Sequence, residues 1–187
     1  MKVAAVLLAA GRSDRFTDGD KLAALLGDLP LGLHAARTLT SLPLDRHIVV
    51  TGSGGMAWPD FTVVPNDRRD AGMAKSIALG VSAARRADID AVLIALADMP
   101  FVSVAHLERL VARYRGPDTM VASSDGIFRM PPALFGATWF DTLETLSNDR
   151  GARAILEQAE IVLANPAELQ DVDRVADLEA AKGRFPE

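Results

Sequence analysis

Short apolar runs alternate along this chain with segments whose apolar residues recur at helical spacing. Residues 3–10 form an unbroken apolar run, which predicts a strand buried on both faces. The same reasoning predicts further strands at 46–51, 61–64, 91–97, 119–123 and 161–164. Because strands and helices alternate, we expect an α/β fold with a mostly parallel sheet and helices on both of its faces.

The intervening helices are predicted from apolar residues three and four positions apart. Leu29-Pro30 should open the first helix, with Pro30 suited to its first turn, and Pro43 should end it. Ser103 should cap another helix, which extends to Tyr114. The remaining helices are expected at 73–87, 139–146, 151–158 and 175–182, whereas 125–132 is predicted to be irregular.

Polar residues follow two of the predicted strands directly. Gly11 follows the first strand and Asp98 follows the fourth, so both should lie at the carboxyl edge of the sheet, where α/β proteins bind ligands. Gly11 has no Cβ and allows a ligand close to the backbone. Arg12, Arg15 and Lys21 supply positive charge that suits a polyphosphate, although a strand-to-helix turn with solvated cations fits this stretch equally well.

Acidic residues at the same edge are candidate metal ligands. Asp98, at the end of a buried strand and opposite Arg15 and Lys21, suits Mg²⁺, which favours one or two carboxylates plus substrate phosphates. An Asp in such a position is also a common turn former. Asp171 and Asp173 alternate like strand residues, so only one should face a given side, and a solvated edge or a helix cap is an equal alternative.

Composition excludes several classes of protein. The 187 residues, 49% of them hydrophobic, suffice for one folded domain spanning 1–187. A net charge of −5 argues against nucleic-acid binding, and the absence of cysteine excludes disulfides and thiolate chemistry. With no secretory signal and no apolar stretch of membrane-spanning length, we expect a soluble cytoplasmic protein without a membrane partner.

Other motifs are weaker. Residues 52–57 match the G-x-G-x-x-A form of a dinucleotide fingerprint, but a Trp-Pro-Asp turn follows where that motif requires a helix. The chain contains neither G-x-x-x-x-G-K-[ST] nor G-x-S-x-G. His34, His47 and His106 are too scattered for a metal site and should be structural or exposed.

Several segments, in order along the chain, resemble one family. Leu7 to Gly11, followed by Arg15-Phe16 and Lys21-Leu22, resembles the signature of the molybdenum-cofactor nucleotidyltransferases, and Leu-Ala-Ala-Gly is closest to their cytidylyltransferase branch. The resemblance continues through further segments: Asn66 with Gly72-Met73, Ser76 and Gly80; Ala97 to Pro100; Pro132 with Leu134-Phe135; Asp149 with Gly151 to Arg153; and Asp171 to Asp173 with Asp177-Leu178.

This resemblance implies a three-layer, Rossmann-like nucleotidyltransferase fold of the GT-A type and a transfer of CMP from CTP to molybdopterin, with release of pyrophosphate. It implies that Arg15, Lys21 and Asp98 are catalytic, and that Mg²⁺ binds Asp98 together with Asp173, or Asp171 as the fallback. The implied nucleotide contacts are Leu8, Ala9, Ala10, Gly11, Arg12, Arg15, Lys21, Asn66, Gly72 and Ser76. An apo-molybdoenzyme would be the partner that receives the product.

The chain departs from the family pattern mainly on the acceptor side. Met130-Pro131-Pro132 replaces Gly-Asn-Pro, Asn148-Asp149 replaces Gly-Asp, and residues 174–177 replace Thr-Pro-Glu-Asp. Near the nucleotide, residues 17–20 replace a glycine-rich link. A related transferase that uses GTP or another phosphorylated acceptor therefore stays open, as does a non-catalytic chaperone of the molybdenum cofactor. A chaperone, however, would not need Arg15, Lys21 and Asp98 together.

Overall fold

The computed structural model describes residues 1–11, 16, 20–52, 55–68, 72–146 and 149–184. The strands are Val3–Ala9 (β1), Leu25–Leu26 (β2), Leu29–Pro30 (β3), Arg46–Thr51 (β4), Thr62–Pro65 (β5), Ala91–Leu96 (β6), Met120–Ser124 (β7), Arg129–Gly136 (β8) and Glu160–Leu163 (β9). The α-helices are Leu31–Thr40 (α1), Gly72–Arg86 (α2), Val104–Val111 (α3), Phe140–Glu144 (α4), Asp149–Leu156 (α5) and Val175–Lys182 (α6). Two short 3-10 helices cover Lys21–Ala23 and Ala137–Trp139.

Seven strands form one sheet in the order β5-β4-β1-β6-β8-β7-β9. Strand β1 is hydrogen-bonded in parallel to β4 on one side and to β6 on the other. Only β8 runs against its neighbours, since it pairs antiparallel with both β6 and β7. The mostly parallel sheet confirms the predicted α/β class.

Helices cover both faces of the sheet, which accounts for the continuous apolar runs of its inner strands. Successive residues of β1 point to opposite faces, so Leu7 packs in one core with α1, α3 and α6, while Val6 packs in the other with α2, α4 and α5. None of the helices in the described ranges has the length and apolar character needed to cross a membrane.

The predicted strands and helices are present, with two exceptions at prolines. Residues 129–132, predicted to be irregular, belong to strand β8. The ladder between β6 and β8 ends at Ile94 and Ala133, so Pro131 and Pro132, which have no N–H to donate, lie beyond it. Pro30 is not in the first turn of α1. It lies in β3 and directly precedes the first helical residue.

A buried polar chain holds the beginning of β8 against its neighbours. Arg109 donates to His106 Nδ1 (2.9 Å), and because arginine can only donate, the neutral imidazole carries its proton on Nε2. This Nε2–H donates to Ser123 Oγ (2.7 Å), whose hydroxyl donates to the carbonyl oxygen of Pro132 (2.7 Å). The pairing between β7 and β8 shifts register at Ser123, so its hydroxyl bonds a carbonyl displaced from the regular ladder.

The rings of the two other histidines are hydrogen-bonded to backbone carbonyl groups. His34 Nε2 lies 2.8 Å from the carbonyl oxygen of Leu26, and His47 Nε2 lies 3.1 Å from that of Leu39. All three histidines therefore connect neighbouring segments of the fold.

We expect Gly80→Ala to destabilise the protein, because α2 crosses β1 and β4 at this glycine. An added Cβ would lie 2.3 Å from Val6 Cγ1 and 3.2 Å from Val50 Cγ2. Overpacking of this kind should lower the free energy of unfolding by about 1–3 kcal/mol in urea denaturation. Gly55→Ala is the control, since its Cβ would meet none of the described residues within 4 Å. Equal stability of the two variants would contradict this account of the packing.

The contribution of His106 to stability should depend on pH. Burial, and then the charge of Arg109, lowers the pKa of His106 below its ordinary value, although Glu168 opposes this. Below about pH 6.5 the unfolded chain therefore binds a proton that the folded protein resists, and stability falls as the pH falls. In urea unfolding, the free energy of unfolding of wild type should exceed that of His106→Gln by less at about pH 5.5 than at about pH 7.5.

The control for this measurement is His47→Gln, which removes a histidine outside the buried chain. A stability difference between wild type and His106→Gln that stays constant over this pH range would show that His106 titrates alike in the folded and unfolded states.

Candidate active site at the carboxyl edge of the sheet

The register of β1 and β6 brings their carboxyl ends together. Leu8 pairs with Leu96, and the N–H of Ala97 still donates to the carbonyl oxygen of Leu8 (3.1 Å) beyond the strand end. The chain then continues directly into Gly11 on one strand and Asp98 on the other. The two positions expected at one edge of the sheet are therefore neighbours in the structure.

A buried lysine joins two carboxylates at this edge. Lys21 Nζ donates to Asp98 Oδ2 (2.7 Å) and to Asp173 Oδ1 (2.9 Å). The Lys21 side chain is only 9% exposed, whereas those of Asp98 and Asp173 are 24% and 38% exposed. The carboxylates thus remain accessible from solvent while the lysine approaches them from inside the protein.

Backbone hydrogen bonds fix the segments that carry these three side chains. Lys21 begins a 3-10 helix whose N-cap, Asp20, accepts from the N–H of Leu22 (3.0 Å). The N–H of Val172 donates to the carbonyl oxygen of Asp98 (2.9 Å), which ties the segment before α6 to the end of β6. The relative position of the carboxylates is therefore set by main chain as well as by the lysine.

Asp177 holds the turn that presents Asp173. Its Oδ2 accepts from the N–H groups of Asp173 (3.1 Å) and Arg174 (2.8 Å) at the beginning of α6. Sequence reasoning did not assign Asp177 this role, although an acidic residue in the first turn of a predicted helix is a recognisable signal for such a cap.

The surroundings of the cluster raise the pKa of Lys21 and also that of Asp171, for different reasons. Burial disfavours the charged form of Lys21, but attraction and hydrogen bonds from Asp98 and Asp173 outweigh it, so the pKa of Lys21 lies above its ordinary value. Asp171 is exposed as a residue, yet protein packed around its carboxyl group, and then the charges of Asp173 and Asp98, raises its pKa. The same surroundings thus favour the charged form of Lys21 and disfavour the charged form of Asp171.

Asn66 and Ser76 are brought together, but they bond mainly within the protein. Asn66 Nδ2 donates to Ser76 Oγ (2.9 Å), and Asn66 Oδ1 accepts from the N–H of Arg68 (3.0 Å). Both residues are buried, and the N–H of Asn66 donates to Thr51 at the end of β4 (2.8 Å). Their side chains therefore connect Asn66, which follows β5, with α2, which carries Ser76.

The two glycines differ in why they are needed. Gly72 has a φ of +74°, a backbone conformation that residues other than glycine rarely adopt. A Cβ on Gly11 would meet none of the described residues within 4 Å, so packing among them does not require glycine there.

The remaining predicted residues are placed as follows. Leu8, Ala9 and Ala10 lie buried at the end of β1. Arg12 and Arg15, predicted to bind the nucleotide, lie outside the described residues. Within the described ranges no group of three or more His, Cys, Asp or Glu side chains is placed to hold a metal, so Asp98 and Asp173 are a pair that other ligands would have to complete.

Comparison with known proteins agrees with this architecture. Residues 5–163 match the family model described as the MobA-like NTP transferase domain. The chain is 31% identical over 188 residues to the purine catabolism protein PucB of Bacillus subtilis, covering 93% of this chain and 90% of that protein.

Solved structures show the same fold. A nucleotidyl transferase from Methanothermobacter thermautotroptrophicus superimposes with a TM-score of 0.83 at 26% identity, over 98% of this chain and 97% of that one. A Mycobacterium tuberculosis protein solved in complex with manganese gives a TM-score of 0.78 at 20% identity, over 98% and 99% of the two chains. The chain therefore belongs to the family of MobA-like NTP transferase domains, and its function is of the nucleotidyltransferase type.

Proposed function

We propose that this protein transfers CMP from CTP to the terminal phosphate of molybdopterin, with release of pyrophosphate, and passes the product to an apo-molybdoenzyme. The observation that carries the proposal is the cluster in which Lys21 bonds both Asp98 and Asp173 beside Gly11. It combines a cation for phosphate oxygens with carboxylates for a divalent metal.

The transfer needs no nucleophile from the protein. A phosphate oxygen of the acceptor, already ionised, attacks the α-phosphorus of CTP, and the bond from this phosphorus to the oxygen that joins it to the β-phosphate breaks, so that this oxygen leaves with the pyrophosphate. Charge grows on the leaving pyrophosphate during this step. Catalysis then consists of alignment and of neutralising that charge, for which Lys21 and the sequence-predicted Arg15 are suitable cations.

The donor set fits a magnesium ion. Mg²⁺ usually binds one or two carboxylates and completes its shell with water and substrate phosphates, and the Asp98 and Asp173 oxygens already lie around a single cationic nitrogen. Asp98 and Asp173 would hold the ion, with Asp171 less suited because its pKa is raised. When bound, the ion would offset negative charge on the phosphates.

The choice of CTP and of molybdopterin rests on sequence resemblance. Leu8 to Gly11 carry the Leu-Ala-Ala-Gly form of the cytidylyltransferase branch. The likeness to a purine catabolism protein along nearly the whole chain fits a role in small-molecule metabolism. Met130-Pro131-Pro132 departs from the family pattern at the beginning of β8.

CTP with Mg²⁺ should stabilise the protein against thermal unfolding more than GTP, ATP or UTP. A ligand that binds only the native state, at about 100 times its Kd, adds about 2.7 kcal/mol. Each nucleotide is measured with Mg²⁺ and with EDTA. As a control, Asp98→Asn should lose the part of the thermal shift that depends on Mg²⁺. A shift with GTP alone would assign the guanylyl branch instead, and no shift with any nucleotide would favour a chaperone of the finished cofactor.

Replacing Asp98 or Lys21 should abolish turnover while the fold is kept. Asp98→Asn and Lys21→Ala are each expected to lower kcat with CTP and molybdopterin by a factor on the order of 10² to 10³, measured as pyrophosphate release. Asp88→Asn is a matched control, because Asp88 also pairs with a lysine, Lys2 (2.8 Å), but outside the proposed site. Near-wild-type turnover in either site variant would rule out the assigned roles.

A further inference from the structure

Lys21 occupies the position between the carboxylates that a divalent metal would need. Its Nζ lies 2.7 Å from Asp98 Oδ2 and 2.9 Å from Asp173 Oδ1, as an ammonium bridging two carboxylates. Mg²⁺ held by the same two carboxylates, with oxygen contacts of about 2.0–2.1 Å, would lie close to this nitrogen. An ammonium and a divalent ion cannot share one position, and their like charges repel at short range.

The side chain of Lys21 can leave this arrangement by rotation about its own bonds, while the main chain of all three residues stays in place. Its backbone is held in the 3-10 helix, where its carbonyl oxygen accepts from the N–H of Ala24 (3.2 Å). Asp98 is tied through its carbonyl to Val172, and Asp173 is held through its N–H by Asp177. The carboxylates can therefore stay in place while the ammonium moves.

The stem of Lys21 is buried, so its ammonium needs an anionic partner close by when it leaves the carboxylates. The phosphates of a nucleotide bound beside Gly11 are such a partner. Resting on the function proposed above, we propose that Lys21 is an internal counterion: it holds Asp98 and Asp173 together until nucleotide phosphates take the ammonium, and only then do the two carboxylates accept a divalent metal.

This exchange has two consequences for binding. In the nucleotide-free protein the ammonium competes with metal, so metal binds weakly. Nucleotide removes the competitor, so nucleotide and metal strengthen each other's binding by the same factor, as linkage requires. Lys21 thus keeps the carboxylate pair from binding divalent ions before the substrate is in place.

The test is Mn²⁺ binding to the nucleotide-free protein, measured by the loss of the free Mn²⁺ signal in electron paramagnetic resonance. Lys21→Met removes the ammonium and keeps an apolar stem of similar length. It should bind Mn²⁺ about tenfold to a hundredfold more tightly than wild type, because two charge-assisted hydrogen bonds no longer have to be broken. Adding Asp98→Asn to Lys21→Met should remove that gain.

Lys2→Met is the matched control, since it also removes a lysine paired with an aspartate, Asp88, and should leave Mn²⁺ binding as in wild type. Lys21→Gln serves as a second variant if Lys21→Met unfolds, because its neutral amide keeps a donor. Folding of each variant is checked by circular dichroism before titration.

Equal or weaker Mn²⁺ binding by both Lys21 variants would overturn the inference, and so would tight Mn²⁺ binding by the nucleotide-free wild type. Failure of the proposed function has a different signature, which is the absence of any nucleotide-induced thermal shift in wild type. A wild type stabilised by Mg²⁺-CTP whose Lys21 variants gain nothing would overturn the counterion role alone.

Discussion

Strand β1 is paired in parallel on both sides and buried on both faces, and the position of the site follows from it. Its register with β6 places Ala10 and Gly11 beside the turn that carries Asp98. Its register with β4 places the end of β4, where Asn66 is hydrogen-bonded, at the same edge. Gly80 allows α2 to cross β1 closely, so the helix carrying Ser76 packs directly on this strand.

The lysine cluster joins segments that are far apart in sequence. Lys21 is separated from Asp98 by 77 positions and from Asp173 by 152. The ammonium offsets the negative charge of both carboxylates, which are partly exposed. The contact that joins these distant segments therefore also supplies the positive charge of the site.

The part of the sheet around β8 is organised by another principle. There β8 runs antiparallel between β6 and β7, and consecutive prolines end its pairing with β6. The chain from Arg109 through His106 and Ser123 to Pro132 supplies hydrogen bonds that the ladder lacks. Because the buried side chains of His106 and Ser123 are hydrogen-bonded, their burial costs little, and the beginning of β8 has a defined position beside the proposed site.

The sequence by itself determined the elements and the edge at which the site lies. Apolar runs such as residues 3–10 specify buried strands, their alternation with helices specifies a parallel sheet, and the carboxyl ends of its strands place Gly11 and Asp98 together. These are properties of short segments, so they can be read locally. The prediction that the chain around Pro131 and Pro132 is irregular was wrong, because only the positions of the neighbouring strands show that these prolines lie beyond the ladder between β6 and β8.

Only the tertiary structure decided the contacts within the site. Alternation along 171–173 could not show that Asp173 contacts Lys21 or that the pKa of Asp171 is raised. The contact depends on how the fold brings distant segments together, and the pKa depends on burial and on the charges of Asp173 and Asp98. The sequence also could not show that Asn66 is hydrogen-bonded to Ser76 or that His106 is hydrogen-bonded to Ser123. Contacts between distant residues depend on where loops bring them, and loop conformation is set by packing and hydrogen bonds across the whole fold rather than by local pattern.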